Sequence, residues 1–388
     1  MKILHTSDWH IGRTLHGASL ADAQANYIDF LHQTVVEHEV DVVLISGDLF
    51  DRSIPSVESL KLVRNALADL SQHARIVITP GNHDSALRLG WLSPFLDERI
   101  VIRCDVEDVA TPVRIESRGQ VCRIYPVPYL DPDMTRDVLA PAGTGDRLPR
   151  SHHAVLSAAL ERIGDHLRSD PPRGERVIVM VHAFITGAQE SDSERPIEVG
   201  GVGDAPASIF NIRDEHGHAL IDYVAAGHLH RPQQVASPVP CYYSGSPMAF
   251  SFSEARDTKS IVLLDTAAAD LAPRLLRTPV YRPLRRVSAS LAQIEEGMFA
   301  DYAQCWLEVT VTDTARPTDL VARVHAVLPH ALIIRHEPHD RTVRDAPELA
   351  HAHARPLDIA VSFLTDAGGV APSQEEIELV RSIIEEAS

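Results

Sequence analysis

The chain has 388 residues, a formal net charge of −18, and 44% hydrophobic against 23% charged residues. That composition excludes a disordered or collagen-like chain, and the length allows roughly two to three domains of about 150 residues each, with a full core. The acidic excess argues against a protein that grips nucleic acid by a broad basic surface, since phosphate contacts dominate such binding. It leaves room for an enzyme that handles phosphates through bound cations, which invert the local charge. Cys104, Cys122, Cys241 and Cys305 are scattered and form no CxxC pair, which predicts neither a disulfide framework nor a zinc ribbon. The opening Met1–Asp8 runs straight into a short strand pattern with no signal-peptide core, and no apolar run is long enough to span a bilayer. A soluble, cytoplasmic protein is expected.

In chain order, Ile3–Thr6 reads as a strand, Leu20–Glu39 as an amphipathic helix and Val42–Ile45 as a buried apolar strand. Val57–Leu70 is helical, with Leu60, Val63, Leu67 and Leu70 on one face, and Arg75–Thr79 is the next strand. A short helix is expected near Ala86–Leu96. Val113–Ile115 and Val121–Pro126 read as an antiparallel pair turning at Arg118-Gly119. The Pro/Gly/Asp-rich link Asp131–Arg150 leads to a helix at Ala154–Leu167. Strands then recur at Val177–Val181, Tyr223–Ala226, Cys241–Ser244 and Ile261–Leu264, before a proline-containing break at Leu271–Pro283. A smaller unit follows, with strand Trp306–Val311, helix Leu320–Val327 and strand Ala331–Arg335. The polar stretch Arg341–Arg355 reads as a linker, and Pro356–Leu364 and Gln374–Glu386 as helices, the second with a capping box at Ser373–Glu376. Alternation of strands and helices predicts a layered α/β first domain over 1–275, an α+β cap over 276–340 and a linker with a helical tail over 341–388.

Five segments place Asp, His or Asn just past a predicted strand, the edge where open α/β sheets bind ligands. They are Asp8-Trp9-His10, Gly47-Asp48 through Asp51, Gly81-Asn82-His83-Asp84, His182, and Gly227-His228-Leu229-His230. Each alone is compatible with a turn, a cap or a packed histidine. Together they supply mixed oxygen and nitrogen ligands for divalent ions and no thiolate, which disfavours structural zinc. Paired ions bridged by one carboxylate are a recurring solution for phosphoester hydrolysis.

The order DxH, GDxxD, GNHD, an isolated His and then GHxH resembles the calcineurin-like metallophosphoesterases. The flanking segments ILHTSDWHIGRTLHG, VLISGDLFDRSIPS, VITPGNHDS, ESDSERPIEVGG, VAAGHLHRPQ and YYSGSPMAFSFSEARDTKSIVLLD are similar to those of SbcD-type nucleases. The similarity is strong from Met1 to about Asp265 and general beyond it. It implies a fold of two mixed sheets flanked by helices. It also implies one ion held by Asp8, His10, Asp48 and His230, and a second held by Asp48, Asn82, His182 and His228, with manganese as the metal. His83 would lie outside the ligand set as the catalytic histidine, with Asp51 positioned to orient it by hydrogen bond.

The resemblance further implies 3′→5′ exonuclease action on duplex DNA ends and endonucleolytic cutting of hairpins, in complex with an SbcC-type ATPase. A homodimer through Val57–Leu70 and Ala86–Leu96, and a tail that binds the ATPase, are implied as well. The alternative is a calcineurin-like phosphodiesterase acting on nucleotides or other small phosphoesters; a non-catalytic DNA-end-binding protein is disfavoured by the intact ligand set and His83. His336-x-x-His339 and His351-x-His353 read as solvated surface. Asp192–Arg195 with Gly200-Gly201 is open between a substrate loop and a connection, and Ser244-Gly245-Ser246 between a phosphate contact and a turn.

Overall fold

A computed structural model of the protein describes residues 1–141, 146–194, 204–268, 270–338, 356–368 and 372–386. The chain divides into two compact units, Met1–Tyr281 and Arg282–Ser388. Arg195, Gly200, Gly201, His339, His351, His353 and the whole stretch 341–355 lie outside the described residues.

The first unit is built on two six-stranded mixed sheets. One runs Arg274–Arg277, Ser260–Asp265, Lys2–Thr6, Val42–Ser46, Arg75–Thr79 and Ile100–Ile102, with the last four strands parallel. The other runs Gln233–Val235, Cys241–Tyr243, Tyr223–Gly227, Arg176–His182, Gln120–Pro126 and Val113–Ser117, with parallel pairing through its centre. Successive side chains on a strand point to opposite faces, so a strand buried on both faces must be apolar throughout. Val42–Ser46 is such a strand. Val42 and Leu44 meet Ile178, Met180 and Tyr223 of the other sheet, while Val43 and Ile45 pack beneath the helices Ala21–Glu37 and Val57–Leu70 through Leu31, Val35 and Val63. On the outer face of the second sheet, Val177, Val179 and Val181 pack against Val155, Leu156 and Ile163 of the helix His152–Ser169. Helix, sheet, sheet and helix therefore stack in layers.

Most elements lie where the apolar pattern puts them; Val57–Leu70 and Arg75–Thr79 keep the expected bounds. The helix expected over Ala86–Leu96 is shorter, a turn at Ala86–Gly90 followed by a 3₁₀ turn at Ser93–Phe95, because Pro94 interrupts it. The break at Leu271–Pro283 contains an edge strand, Arg274–Arg277, antiparallel to Ser260–Asp265. None of its residues is buried, so it carries no apolar signature.

In the second unit three parallel strands, Leu284–Ala289, Trp306–Val311 and Ala331–His336, form one sheet. Val287, Leu307 and Val309 make its core with Leu320 and Val324 of the helix Leu320–Val327. The helices Pro356–Gly368 and Gln374–Glu386 pack on one another. The second is capped as expected: Ser373 Oγ accepts from Glu376 N at 3.3 Å and Glu376 Oε2 accepts from Ser373 N at 2.7 Å. Among the described residues no helix is long and apolar enough to cross a membrane.

Candidate metal centre

Five strands of the first unit end at one edge: Lys2–Thr6, Val42–Ser46 and Arg75–Thr79 from one sheet, Arg176–His182 and Tyr223–Gly227 from the other. The loops leaving them are stitched together. Asp8 N donates to Gly47 O at 3.0 Å and His10 N to Asp48 O at 3.0 Å. The Asp8 carboxylate accepts from His228 N at 3.0 Å, and Asp48 Oδ1 accepts from His83 N at 2.8 Å. Asp8, His10, Asp48 and His228 all have positive φ, of 55°, 44°, 51° and 105°. Non-glycine residues adopt that region at a cost and keep it where surrounding structure enforces it, commonly at functional sites. At Gly81 the constraint is space, since a Cβ there would stand 2.2 Å from Asp48 Oδ1 and 2.4 Å from Asp48 N. Only glycine lets the two loops close on each other.

The result is a buried pole of lone pairs. Asp48 Oδ2 is 3.5 Å from His10 Nε2 and 3.4 Å from His182 Nε2. His10 Nε2 is 3.1 Å from His230 Nε2, while Asn82 Oδ1 is 2.9 Å from His182 Nε2 and 3.2 Å from His228 Nδ1. Among the described residues, three overlapping groups have ligand atoms within 4.8 Å of one another: Asp8, His10 and His230; Asp8, Asp48 and His182; and His10, Asp48 and His83. All seven residues expected as ligands are thus gathered at this edge. Asp8, His10, Asp48, His182, His228 and His230 are buried, with Asn82 and His83 at the half-buried rim.

Charge follows from burial. Desolvation lowers the pKa of His10 and takes that of His230 well below the usual range. Burial, helped by the nearby His182, brings His228 down to about 3. These rings stay neutral, the form that ligates metal. Asp8 is pushed up to about 7 by burial and by the charge of Asp48. His182 is the exception: burial alone would lower it, but Asp48 beside it raises it to about 9, and the same pairing holds Asp48 well below the carboxylate range against its own burial. Two buried carboxylates, an amide oxygen and converging imidazoles are costly to assemble unless positive charge joins them. This oxygen and nitrogen set fits divalent cations.

His83 Nδ1 donates to the main-chain carbonyl of Asp51 at 2.8 Å. The expected contact with the Asp51 side chain does not form. That carboxylate turns toward cations and His10, lying 3.6 Å from His10 Nδ1, 3.7 Å from Arg13 Nη1 and 3.7 Å from Arg52 Nε. Asp51 therefore orients His83 by its backbone. Asp84, the last residue of GNHD, has a part that motif spacing does not announce. Its carboxylate accepts from Leu49 N at 3.0 Å, Phe50 N at 2.9 Å and Gly81 N at 3.0 Å, tying two of the loops together. Ser244 and Ser246 are fully buried and support the loops: Ser244 Oγ meets Ser7 Oγ at 2.8 Å, and Ser246 N donates to His230 O at 3.1 Å. His336 is likewise occupied, its Nε2 donating to Asp313 O at 2.7 Å.

Comparison with known proteins places the chain in a family. The calcineurin-like phosphoesterase family matches residues 1–232, and the type 5 capsule protein repressor C-terminal domain matches residues 280–367. The chain is 34% identical over 278 residues to the D subunit of the nuclease SbcCD from Bacillus subtilis (strain 168), covering 70% of this chain and 68% of that protein. Among solved structures, TT1561 of Thermus thermophilus matches with 13% identity and a TM-score of 0.37, over 71% of this chain and 98% of that one. A dimetal phosphatase from Danio rerio matches with 12% identity and a TM-score of 0.38, over 68% and 91% of the two chains. The chain belongs to the SbcD nuclease family within the calcineurin-like phosphoesterases, and is a metal-dependent phosphodiesterase of that class.

Proposed function

We propose that this chain is a DNA nuclease whose centre takes two divalent ions, with manganese as the metal that the family resemblance implies and the mixed oxygen and imidazole set accepts. Asp8, His10, Asp48 and His230 would hold one ion, and Asp48, Asn82, His182 and His228 the other. The observation that carries this reading is the position of Asp48, whose Oδ2 is within 3.5 Å of His10 Nε2 on one side and 3.4 Å of His182 Nε2 on the other. Bound ions would supply Lewis-acid stabilisation and an activated water for phosphodiester hydrolysis.

His83 has the remaining chemical role. Its main chain is fixed by Asp48 and its Nδ1–H by the Asp51 carbonyl, so Nε2 is the atom left to take up a second proton and pass it to the departing oxygen. Unlike the buried imidazoles, it stands at the rim where a substrate phosphate can reach it.

DNA as substrate, with 3′→5′ action on duplex ends and cutting of hairpins, is favoured over small phosphoesters by the likeness to the SbcCD nuclease. The same likeness favours an SbcC-type ATPase as partner, with the second unit as a cap and its helical tail as the docking element. The tail leaves Ile359, Phe363, Leu379 and Ile383 exposed, which suits an apolar partner surface. Exposed Val57, Leu60, Leu87, Trp91 and Phe95 suit a homodimer contact on the first unit. The test supplies the purified chain with Mn²⁺ and compares linear duplex, hairpin DNA and bis-p-nitrophenyl phosphate, with and without the ATPase. Hairpin and duplex cleavage, the latter stimulated by partner and ATP, is expected. Hydrolysis of the small ester alone under every condition would overturn the DNA assignment.

A further inference from the structure

His230 is held from two segments that supply no ligand. Its N–H donates to Glu194 Oε1 at 2.7 Å, and its carbonyl accepts from Lys259 Nζ at 2.6 Å. Its ring Nδ1 meets Ser193 Oγ at 2.5 Å, and the same hydroxyl contacts Glu254 Oε1. Glu254 is buried and forms an ion pair with buried Lys259. Its carboxylate also accepts from Ser251 Oγ at 3.1 Å.

Proton counting gives these contacts a direction. A carboxylate only accepts, and a serine hydroxyl has one proton to give. If Ser193 gives that proton to Glu254, its oxygen must accept from His230, so the imidazole carries hydrogen on Nδ1 and presents the Nε2 lone pair. That Nε2 is the atom facing His10 Nε2 at 3.1 Å. We propose that Ser193 and Glu254 are positioning residues for ion binding: the relay from His230 Nδ1 through Ser193 to Glu254 fixes the tautomer and the angle of His230. This rests on His230 being a ligand, as argued above. Lys259 completes the device, since its ammonium both balances Glu254 and anchors the His230 carbonyl. The segments ESDSE and SFSEARDTKS thereby gain a shared role in shaping one side of the centre.

Partners that orient a ligating histidine are commonly worth about 10- to 100-fold in metal affinity. The test is Mn²⁺ binding to the full metal-free chain, followed by calorimetry or by the electron paramagnetic resonance of free Mn²⁺. Ser193→Ala is expected to weaken one ion by about 10- to 100-fold and leave the other unchanged, and Ser193→Thr, which keeps the hydroxyl, to restore it. His230→Ala is the reference. If it loses one ion while Ser193→Ala binds both as the parent does, the relay is wrong and the ligand assignment stands. If His230→Ala itself keeps both ions, the ligand assignment falls and the relay with it. A second readout needs no substitution at Ser193 or Glu254: ¹⁵N shifts of the His230 ring, assigned by comparison with His230→Ala, must report hydrogen on Nδ1 in the metal-free chain. Hydrogen on Nε2 would overturn the proposal.

Discussion

The two sides of the centre are held in different ways. On one side His182 gives its Nδ1 proton to Ser46 O at 2.9 Å, a main-chain carbonyl at the end of a strand buried on both faces. On the other, His230 leans on Ser193, Glu194 and Lys259, side chains drawn from other segments of the chain. A ligand fixed by sheet backbone shares the rigidity of the core, whereas one fixed by a side-chain relay depends on every member of that relay. The fold alone thus secures the His182 side, and the His230 side has to be secured by particular residues. Asp48 joins them.

The largest effect short of removing a ligand is expected at the rim between the two sides. His83→Ala should bind Mn²⁺ with unchanged stoichiometry yet cleave DNA about 10²- to 10⁴-fold more slowly, the usual loss when a general acid is removed. Metal titration alongside single-turnover cleavage checks this. Loss of an ion in the variant would instead move His83 into the ligand set, where its proximity to His10 and Asp48 allows it.

A smaller effect sharpens the contrast from the rigid side. Gly81→Ala puts a methyl group 2.2 Å from Asp48 Oδ1 and 2.4 Å from Asp48 N, so both the carboxylate and the backbone of Asp48 must shift. Overpacking of this kind costs about 1–3 kcal/mol. Denaturant melts of the metal-free chain should register that loss together with weakened ion binding, because the GNHD loop and Asp48 move as one. A variant of parental stability would mean the sheet edge is as adaptable as the His230 side.

The smallest effect, in the range just below neutral pH, is a pH dependence beneath the site. His5, in the strand that leads to Asp8, is buried with Nδ1 3.1 Å from the Tyr223 hydroxyl, and burial brings its pKa down to about 3. The unfolded chain takes up a proton below about pH 6.5 that the folded chain refuses, so stability falls as pH drops from there toward 3. The contribution is about 1.4 kcal/mol per pH unit. Melts at about pH 7.5 and 5.5, either side of the free imidazole value, should show a shallower loss for His5→Asn than for the parent; equal losses would mean that His5 is protonated in the fold.

Much of this is legible in the sequence because it is local. Val42–Ile45 declares itself by four consecutive apolar residues, and GD, GNHD and GHxH sit directly after strands. What escapes a reading of the sequence is long-range or edge-like. Leu284–Ala289 is hard to see because Arg285, Arg286 and Ser288 leave it only a weak apolar alternation, with Leu284, Val287 and Ala289 the buried positions. The direction of the Asp51 carboxylate is hidden because the pull of Arg13 and Arg52 is not visible in motif spacing. The Ser193–Glu254 contact spans 61 residues. Its one sequence signal is Lys259, one of three lysines in the chain and the one placed at the entry to a buried strand.

The central claim is that one carboxylate serves both sides, and Mn²⁺ titration of Asp48→Ala against the parent tests it most directly. The account predicts two ions for the parent, loss of tight binding at both positions in the variant, and no detectable cleavage. A variant that still bound two ions with parental affinity and cleaved DNA normally would contradict it.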